Sequence, residues 1–214
     1  MKCFLKRLGV EALELRAMMT GNVTAVVEAN GSLRISGDTA DNGIVITQTA
    51  TNTFQVAGDA TTTINGQTLG TPAVLSGVTK SFKIEMNSGN DSVTIQNLTV
   101  PKNLKLEGNA GDDTLLVSNV IVNGNAVIKG GAGVDTITAT QVDTDHTLLV
   151  DGGESTDTIN VSDSSGDFLL INSRRGKDIV AKQSNDFDAS LQTSSKWSTK
   201  VADRVFGAWE KVYT

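Results

Sequence analysis

The sequence predicts an all-β fold, a parallel β-helix or solenoid built from coils of 22 residues. The composition is rich in Gly and poor in Pro and aromatic residues, which is typical of strands joined by tight turns. A Gly-Asp turn recurs at a fixed spacing, and apolar residues alternate with polar ones on both sides of each turn. Repeats too short to bury their own apolar face must stack on their neighbours.

The turn is marked by an aspartate that recurs at spacings of 22, 22, 22 and 21 residues. These aspartates are Asp91, Asp113, Asp135, Asp157 and Asp178. Two positions before each aspartate stands a small residue, namely Gly89, Gly111, Gly133, Ser155 and Gly176. Glycine at this place allows the positive φ that a tight turn requires.

Apolar residues keep one register around the turns, and the pattern fails at Lys182, four residues after Asp178. They stand nine and seven positions before the aspartate and two and four positions after it, as in Ala126, Ile128, Ile137 and Ala139 around Asp135. A pair at period two on each side of a turn indicates two short strands, each with one buried face. A third pair follows in the coils of Asp91 and Asp113 (Leu98 and Val100, then Val120 and Val122), which favours a three-sided coil.

One further coil is expected upstream, where Asn42 takes the place of the aspartate. The 49 residues between Asn42 and Asp91 exceed two periods by five. We therefore expect irregular coils or a hairpin in residues 47–80, and about seven coils in all.

The ends of a solenoid need covering, because they expose strand edges and core. Residues 1–21 are predicted to be an amino-terminal targeting or capping segment, 22–195 the repeat domain and 196–214 a carboxy-terminal cap. Short amphipathic helices are expected at both termini. A last β-coil is the alternative for residues 201–214, because Gly207 weakens a helix.

Charge and composition argue against several functions. The net charge is −6, so the chain has no basic surface for a nucleic-acid partner. One cysteine (Cys3) and one histidine (His146) are too few for a zinc site, and His146 is expected in a loop or at a strand edge. No segment has the length and apolar character of a transmembrane helix.

The segment GGAGVDTIT (residues 130–138) resembles the nine-residue repeat G-G-x-G-x-D-x-U-x of hemolysin-type (RTX) calcium-binding proteins, where U is a large apolar residue. In that family, turns of neighbouring coils hold Ca²⁺ through carboxylates and turn carbonyls, and the proteins are exported. The resemblance implies Asp91, Asp113, Asp135, Asp157 and Asp178 as calcium ligands, assisted by the carbonyls of Gly89, Gly111 and Gly133. The family repeats its motif back to back, whereas here it occurs once per 22 residues.

A second resemblance lies near the amino terminus. The segment LELRAMM (residues 13–19) is similar to the LEPR-x-L-L segment of some large bacterial surface and secreted proteins. This resemblance implies a secreted or cell-surface protein.

The same aspartates also fit a purely structural role. A turn aspartate can accept hydrogen bonds from amides two or three residues along its own chain. Asn42 favours this role, because asparagine caps a turn well and is a poorer calcium ligand. Asn97 and Asn119, 22 residues apart, are expected to begin an asparagine ladder at another corner.

The sequence therefore predicts a non-catalytic, secreted or surface-exposed bacterial solenoid with a structural, adhesive or binding role. Its partner, a polysaccharide or a protein, is unknown. The alternatives are a dedicated calcium-binding module and a β-helix enzyme that degrades polysaccharides. Catalysis is disfavoured because the arginines are scattered and only Arg174 and Arg175 form a tight pair.

Overall fold

The computed structural model describes residues 21–173 and 178–194. Within these residues the chain consists of strands and turns, with no helix. The predicted all-β solenoid is confirmed. The expected terminal helices, at 1–21 and 196–214, lie outside the described residues apart from Gly21.

The amino-terminal part contains seven strands: β1 (Gly21–Val27), β2 (Leu33–Ser36), β3 (Gly43–Ala50), β4 (Thr53–Gly58), β5 (Thr62–Ile64), β6 (Ala73–Ser76) and β7 (Phe82–Glu85). Three of their pairings are antiparallel: β1 with β2, β3 with β4, and β4 with β6. The hairpin expected within residues 47–80 is therefore confirmed. It is formed by β3 and β4, and β6 adds to β4 as a third antiparallel strand. Because this hairpin replaces stacked coils, the solenoid has about five turns and the expected number of about seven is too high.

The regular coils contain ten strands: β8 (Ser92–Val100), β9 (Leu104–Ala110), β10 (Thr114–Val122), β11 (Ala126–Ala132), β12 (Thr136–Thr144), β13 (Thr147–Glu154), β14 (Thr158–Ser162), β15 (Ser165–Ser173), β16 (Ile179–Gln183) and β17 (Asp186–Ser194). Each strand pairs in parallel with its counterpart in the next coil. Leu115 of β10, for example, stands beside Ile137 of β12, 22 residues later. The upstream coil keeps this register too, since Ile44 of β3 pairs with Val93 of β8.

The core consists of columns of apolar side chains that run along the solenoid axis. Ile95, Val117, Ala139 and Val161 form one such column, and each is fully buried. Phe54 and Phe82, in the amino-terminal part, pack edge to face with ring centroids 4.9 Å apart. The columns arise because alternate residues of a strand point to the same side of a sheet.

A residue with positive φ turns the second strand of each coil. Gln141 (φ 52°) interrupts β12 between Thr140 and Val142, and Asn97 and Asn119 do the same in β8 and β10. The residues after this bend form a short third side, as the third apolar pair predicts.

Three inward positions become polar in the last coil. Lys182 continues the column of Val161, while Ser190 and Gln192 continue those of Leu169 and Ile171. Val180 of β16 is still apolar and buried, so the core of the last coil is partly apolar and partly polar.

Candidate functional site

The five aspartates predicted from the repeat form one column at one corner of the solenoid. Asp91, Asp113, Asp135, Asp157 and Asp178 are each at most 2% exposed, although aspartate is usually a surface residue. Stacking in register brings them together as the sequence predicts. Their burial decides what they can do, because a buried carboxylate needs a partner to offset its lost hydration.

One oxygen of each carboxylate has such a partner in the neighbouring coil. The backbone N–H of each coil's aspartate donates to the Oδ1 atom of the aspartate in the next coil. The N–H of Asn42 starts the series by donating to Oδ1 of Asp91, and the N···O distances are 2.7–3.0 Å. We call this series the aspartate ladder. It differs from the expected turn-capping role, since the donor lies in another coil and not in the same turn.

The second oxygen of each carboxylate is enclosed. The Oδ2 atoms of all five aspartates are buried and have no hydrogen-bond partner. In three coils Oδ2 lies against a glycine five residues earlier, so that a Cβ on Gly108, Gly130 or Gly152 would overlap the carboxylate. The glycine is therefore needed for close approach, and it leaves little room at Oδ2 for another group.

Burial raises the pKa values of these carboxyl groups. Loss of hydration raises the pKa of Asp91 to about 7 and those of Asp113, Asp135 and Asp157 to about 6. The pKa of Asp178 is raised for the same reason. Inter-coil hydrogen bonds oppose these shifts, and charges on neighbouring aspartates add to several of them.

The geometry of the ladder is a poor fit to calcium. Ca²⁺ takes six to eight oxygen ligands in proteins. Each coil offers one uncommitted oxygen, Oδ2, which is closed in by glycine in the coils of Asp113, Asp135 and Asp157. Among the described residues, no three His, Cys, Asp or Glu side chains are grouped to hold a metal ion.

The glycines proposed as carbonyl ligands serve the stacking of turns. Gly89, Gly111 and Gly133 have φ values of 115°, 131° and 134°, and Ser155 has 86° at the same place. The carbonyl oxygens of Gly89 and Gly111 lie against the glycine of the next coil, where a Cβ would overlap them. Gly176 and its neighbours, including the pair Arg174 and Arg175, lie outside the described residues.

An exposed second ladder runs beside the first and in the opposite sense. Asn90 N–H donates to Oδ1 of Asp41, and Asp112 N–H donates to Oδ1 of Asn90. Val134 N–H ends the series by donating to Oδ1 of Asp112, and the three N···O distances are 2.7–2.8 Å. The sequence analysis missed this ladder. The sequence does contain the pattern that predicts it. An Asp or Asn directly precedes the turn residue in three coils, namely Asp41, Asn90 and Asp112.

The other two corners also have amide side chains in register. Asn119 Nδ2 donates to Asn97 Oδ1 at 2.9 Å, which confirms the predicted asparagine ladder. At the third corner, Asn125 N–H donates to Asn103 Oδ1 and Thr147 N–H donates to Asn125 Oδ1. Hydrogen bonds between side chains and neighbouring coils therefore support every corner.

The single histidine lies in a loop, as the sequence predicts. His146 stands in the turn between β12 and β13, is exposed, and has Nδ1 3.2 Å from Oδ2 of Asp167. The pair is open to solvent and involves no serine hydroxyl.

A comparison of the chain with family models, with curated proteins and with solved structures finds no match. In residues 21–173 and 178–194 no helix is long and apolar enough to cross a membrane. The fold defines the protein as a β-solenoid repeat protein.

Proposed function

We propose that the protein is a non-catalytic, secreted or cell-surface β-solenoid with a structural or adhesive role. The aspartate ladder is the observation that supports this most. Carboxyl groups with strongly raised pKa values are the usual candidates for catalytic acids and bases. Here they are closed to solvent and bonded to the backbone of the next coil, so they have the surroundings of structural groups.

One face of the solenoid favours a neutral partner. The twelve outward positions of β8, β10, β12 and β14 before the bend are occupied by Ser, Thr, Gln, Asn and Leu, with no charged side chain. The adjacent face has a cluster of ion pairs, with Lys105 Nζ 2.6 Å from Glu107 Oε2 and 3.7 Å from Glu85 Oε1. A flat, uncharged surface rich in hydroxyl groups suits a neutral polysaccharide better than a charged polymer, because it lacks charges to pair with the latter.

Binding to insoluble neutral and acidic polysaccharides tests the adhesive role. We expect retention on a neutral polysaccharide, reduced by Thr138→Lys at the centre of the uncharged face. Ile121→Lys, which adds the same charge on the third side, is the matched control and should leave retention unchanged. Release of soluble sugar from any of these polymers would contradict the non-catalytic role.

Calcium dependence is tested by thermal unfolding followed by circular dichroism, with EDTA and with millimolar Ca²⁺. We expect the same midpoint in both, since the ladder has one enclosed oxygen per coil to offer. Loss of the β signal on chelation would show instead that the protein is a dedicated calcium-binding module whose folding requires the ion.

A further inference from the structure

A column of apolar side chains lies on the outside of the last coils. Val127, Leu149, Leu170 and Leu191 stand in register on the outer face of β11, β13, β15 and β17. The first three are partly exposed and Leu191 is 55% exposed. Phe168, 50% exposed, lies two residues before Leu170. We call these five residues the apolar stripe.

The stripe is confined to the carboxy-terminal half of the solenoid. In the earlier coils the same outward position is occupied by Arg34, Lys83 and Lys105, which are aligned with one another by the parallel pairing of β2, β7 and β9. The column changes from basic to apolar side chains along the solenoid, and a contiguous exposed apolar surface of this kind is typical of a contact site.

The carboxy-terminal end of the described solenoid is less apolar than the face that carries the apolar stripe. Lys182, Ser190 and Gln192 occupy three inward positions of the last coil, beside the apolar Val180 and Phe187, so its end presents a mixture of polar and apolar groups. An apolar segment that continues from β17 can contact five apolar side chains on the stripe, whereas over the end it would meet Val180 and Phe187 among three polar side chains.

A segment rich in apolar residues follows β17 directly in the sequence. Residues 195–214 contain Trp197, Trp209 and Tyr213, the only tryptophans and tyrosine of the chain, together with valines at 201, 205 and 212. The segment starts after Ser194, three residues beyond Leu191. Sixteen residues span at least about 24 Å at the helical rise of 1.5 Å per residue. The stripe crosses three coil spacings, or about 14 Å.

The charges of the two parts are complementary. Residues 195–214 contain four basic and two acidic side chains, whereas the four strands that form the stripe contain five acidic residues and one basic residue, Lys129. Asp167, partly exposed, and Asp188, exposed, lie beside Phe168 and Ala189 on the strands that form the stripe. A basic segment is therefore attracted to this side of the solenoid.

We propose that residues 197–212 of the chain dock on the apolar stripe of the same molecule and shield Phe168, Leu170 and Leu191 from solvent. This places the segment along the side of the last coils. A cap over the end of the core is a different location.

Tryptophan fluorescence tests the proposal, because both tryptophans lie in the docking segment and none lies elsewhere. In the intact protein we expect blue-shifted emission and weaker quenching by acrylamide than for free tryptophan amide. The double variant Leu170→Ser, Leu191→Ser should shift the emission to the red and raise quenching toward the free value. Ile121→Ser, at an outward residue 48% exposed on the third side, is the matched control and should change neither.

Circular dichroism of each variant establishes that the solenoid is folded when fluorescence is measured. Emission like that of free tryptophan in the intact protein would overturn the proposal. So would shielded emission that the stripe variant leaves unchanged, because the segment would then pack elsewhere. Shielding that is lost on dilution, together with a dimer in size-exclusion chromatography, would also overturn it by showing that a second copy covers the stripe.

Discussion

Asp135 illustrates how a buried acid is used in this fold. Its Oδ1 atom accepts the amide hydrogen of Asp113 at 2.9 Å, while its Oδ2 atom meets Gly130 and has no partner. An ionised carboxylate in such surroundings loses hydration at Oδ2 without compensation. The neutral acid keeps the Oδ1 hydrogen bond and avoids that cost, so protonation and folding are linked.

Stability should therefore fall as the pH rises. The folded pKa values of about 6 to 7 lie above the ordinary value of 3.8, so the ladder's contribution is fully present below about pH 4 and is lost as the pH rises through 6 to 7. For Asp113, Asp135 and Asp157, a pKa raised from 3.8 to about 6 corresponds to about 3 kcal/mol each. We expect the thermal midpoint to drop by on the order of 10 °C between pH 5 and pH 8, measured by circular dichroism.

Asp135→Asn separates this effect from general charge repulsion. Asparagine keeps the Oδ1 acceptor and cannot ionise, so the variant should lose less stability than the parent between pH 5 and pH 8. Asp143→Asn removes the same charge from an exposed residue that accepts from the Ser165 hydroxyl at 2.7 Å, and its pH profile should match that of the parent. A parent midpoint that rises toward pH 8 would show that the ladder carboxyls are ionised in the folded state at no cost.

Gly130→Ala tests the close packing at Oδ2. A Cβ there would overlap the Asp135 carboxylate and approach the Gly152 carbonyl oxygen, so we expect a loss of about 2–3 kcal/mol in urea unfolding. Gly66→Ala is the control, because its Cβ meets nothing within 4 Å. It should cost about 1 kcal/mol, through its positive φ alone. Equal losses for both variants would contradict tight packing at the ladder.

At the residue scale, sequence reasoning located the groups but not their bonds. The spacing of Asp91, Asp113 and Asp135 predicts that they stack, because equal coils superpose. Which amide each carboxylate binds depends on the offset between coils and on the side-chain rotamer. The spacing of the aspartates determines neither the offset nor the rotamer. The sequence alone therefore favours a local Asx turn.

The coil is the next scale, and its defining property is a register that repeats after 22 residues. Removing residues 114–135 joins Asp113 to Thr136, which occupies the place of Thr114 in the next coil. The inward columns then continue unbroken. We expect the shortened protein to retain its β circular dichroism and cooperative unfolding, with a somewhat lower midpoint because one coil interface is lost.

Removing residues 114–136 is the matched control. It deletes one residue more, so that Ile137 takes an outward place and the polar side chains beside it turn inward. This variant should not fold cooperatively. If both deletions behave alike, the columns do not determine the register.

The elements also show where sequence reasoning reaches its limit. Strands of a parallel coil and of an antiparallel hairpin have the same period of two, so Phe54 and Val56 fit either structure. What distinguishes them is the partner strand: β4 pairs with β3 and β6, and not with a strand one coil away. The five extra residues before Asp91 revealed an interruption and left its pairing undetermined.

At the scale of the whole molecule, the two ends of the solenoid differ. The amino-terminal end is covered by mixed pairing, in which β1 joins β2 antiparallel and β5 parallel. At the other end of the described residues, β16 and β17 each have a partner strand on one side only. Lys182, buried in the inward column after Val161, places a charge at this open edge, which is a known means of preventing edge-to-edge association.

Lys182→Val should therefore change how molecules associate. It extends the apolar column to the open end, so we expect concentration-dependent oligomers in size-exclusion chromatography and light scattering. Lys102→Val removes the same charge from an exposed corner and should remain monomeric if the parent is. Oligomers of both variants would point to net charge as the cause, and oligomers of neither would show that Lys182 does not protect the edge.

The constant distance of 22 residues between paired strands has a consequence for the order of folding. Each coil can form only against a coil already in place, and each such step closes a loop of the same length, so no coil is kinetically favoured over the next. The antiparallel pairs of β1 with β2 and of β3 with β4 are the exceptions, since their strands are joined by short turns. Growth is thus expected to start in this amino-terminal part and proceed coil by coil, and backbone amides should exchange with deuterium progressively faster from β8 toward β17.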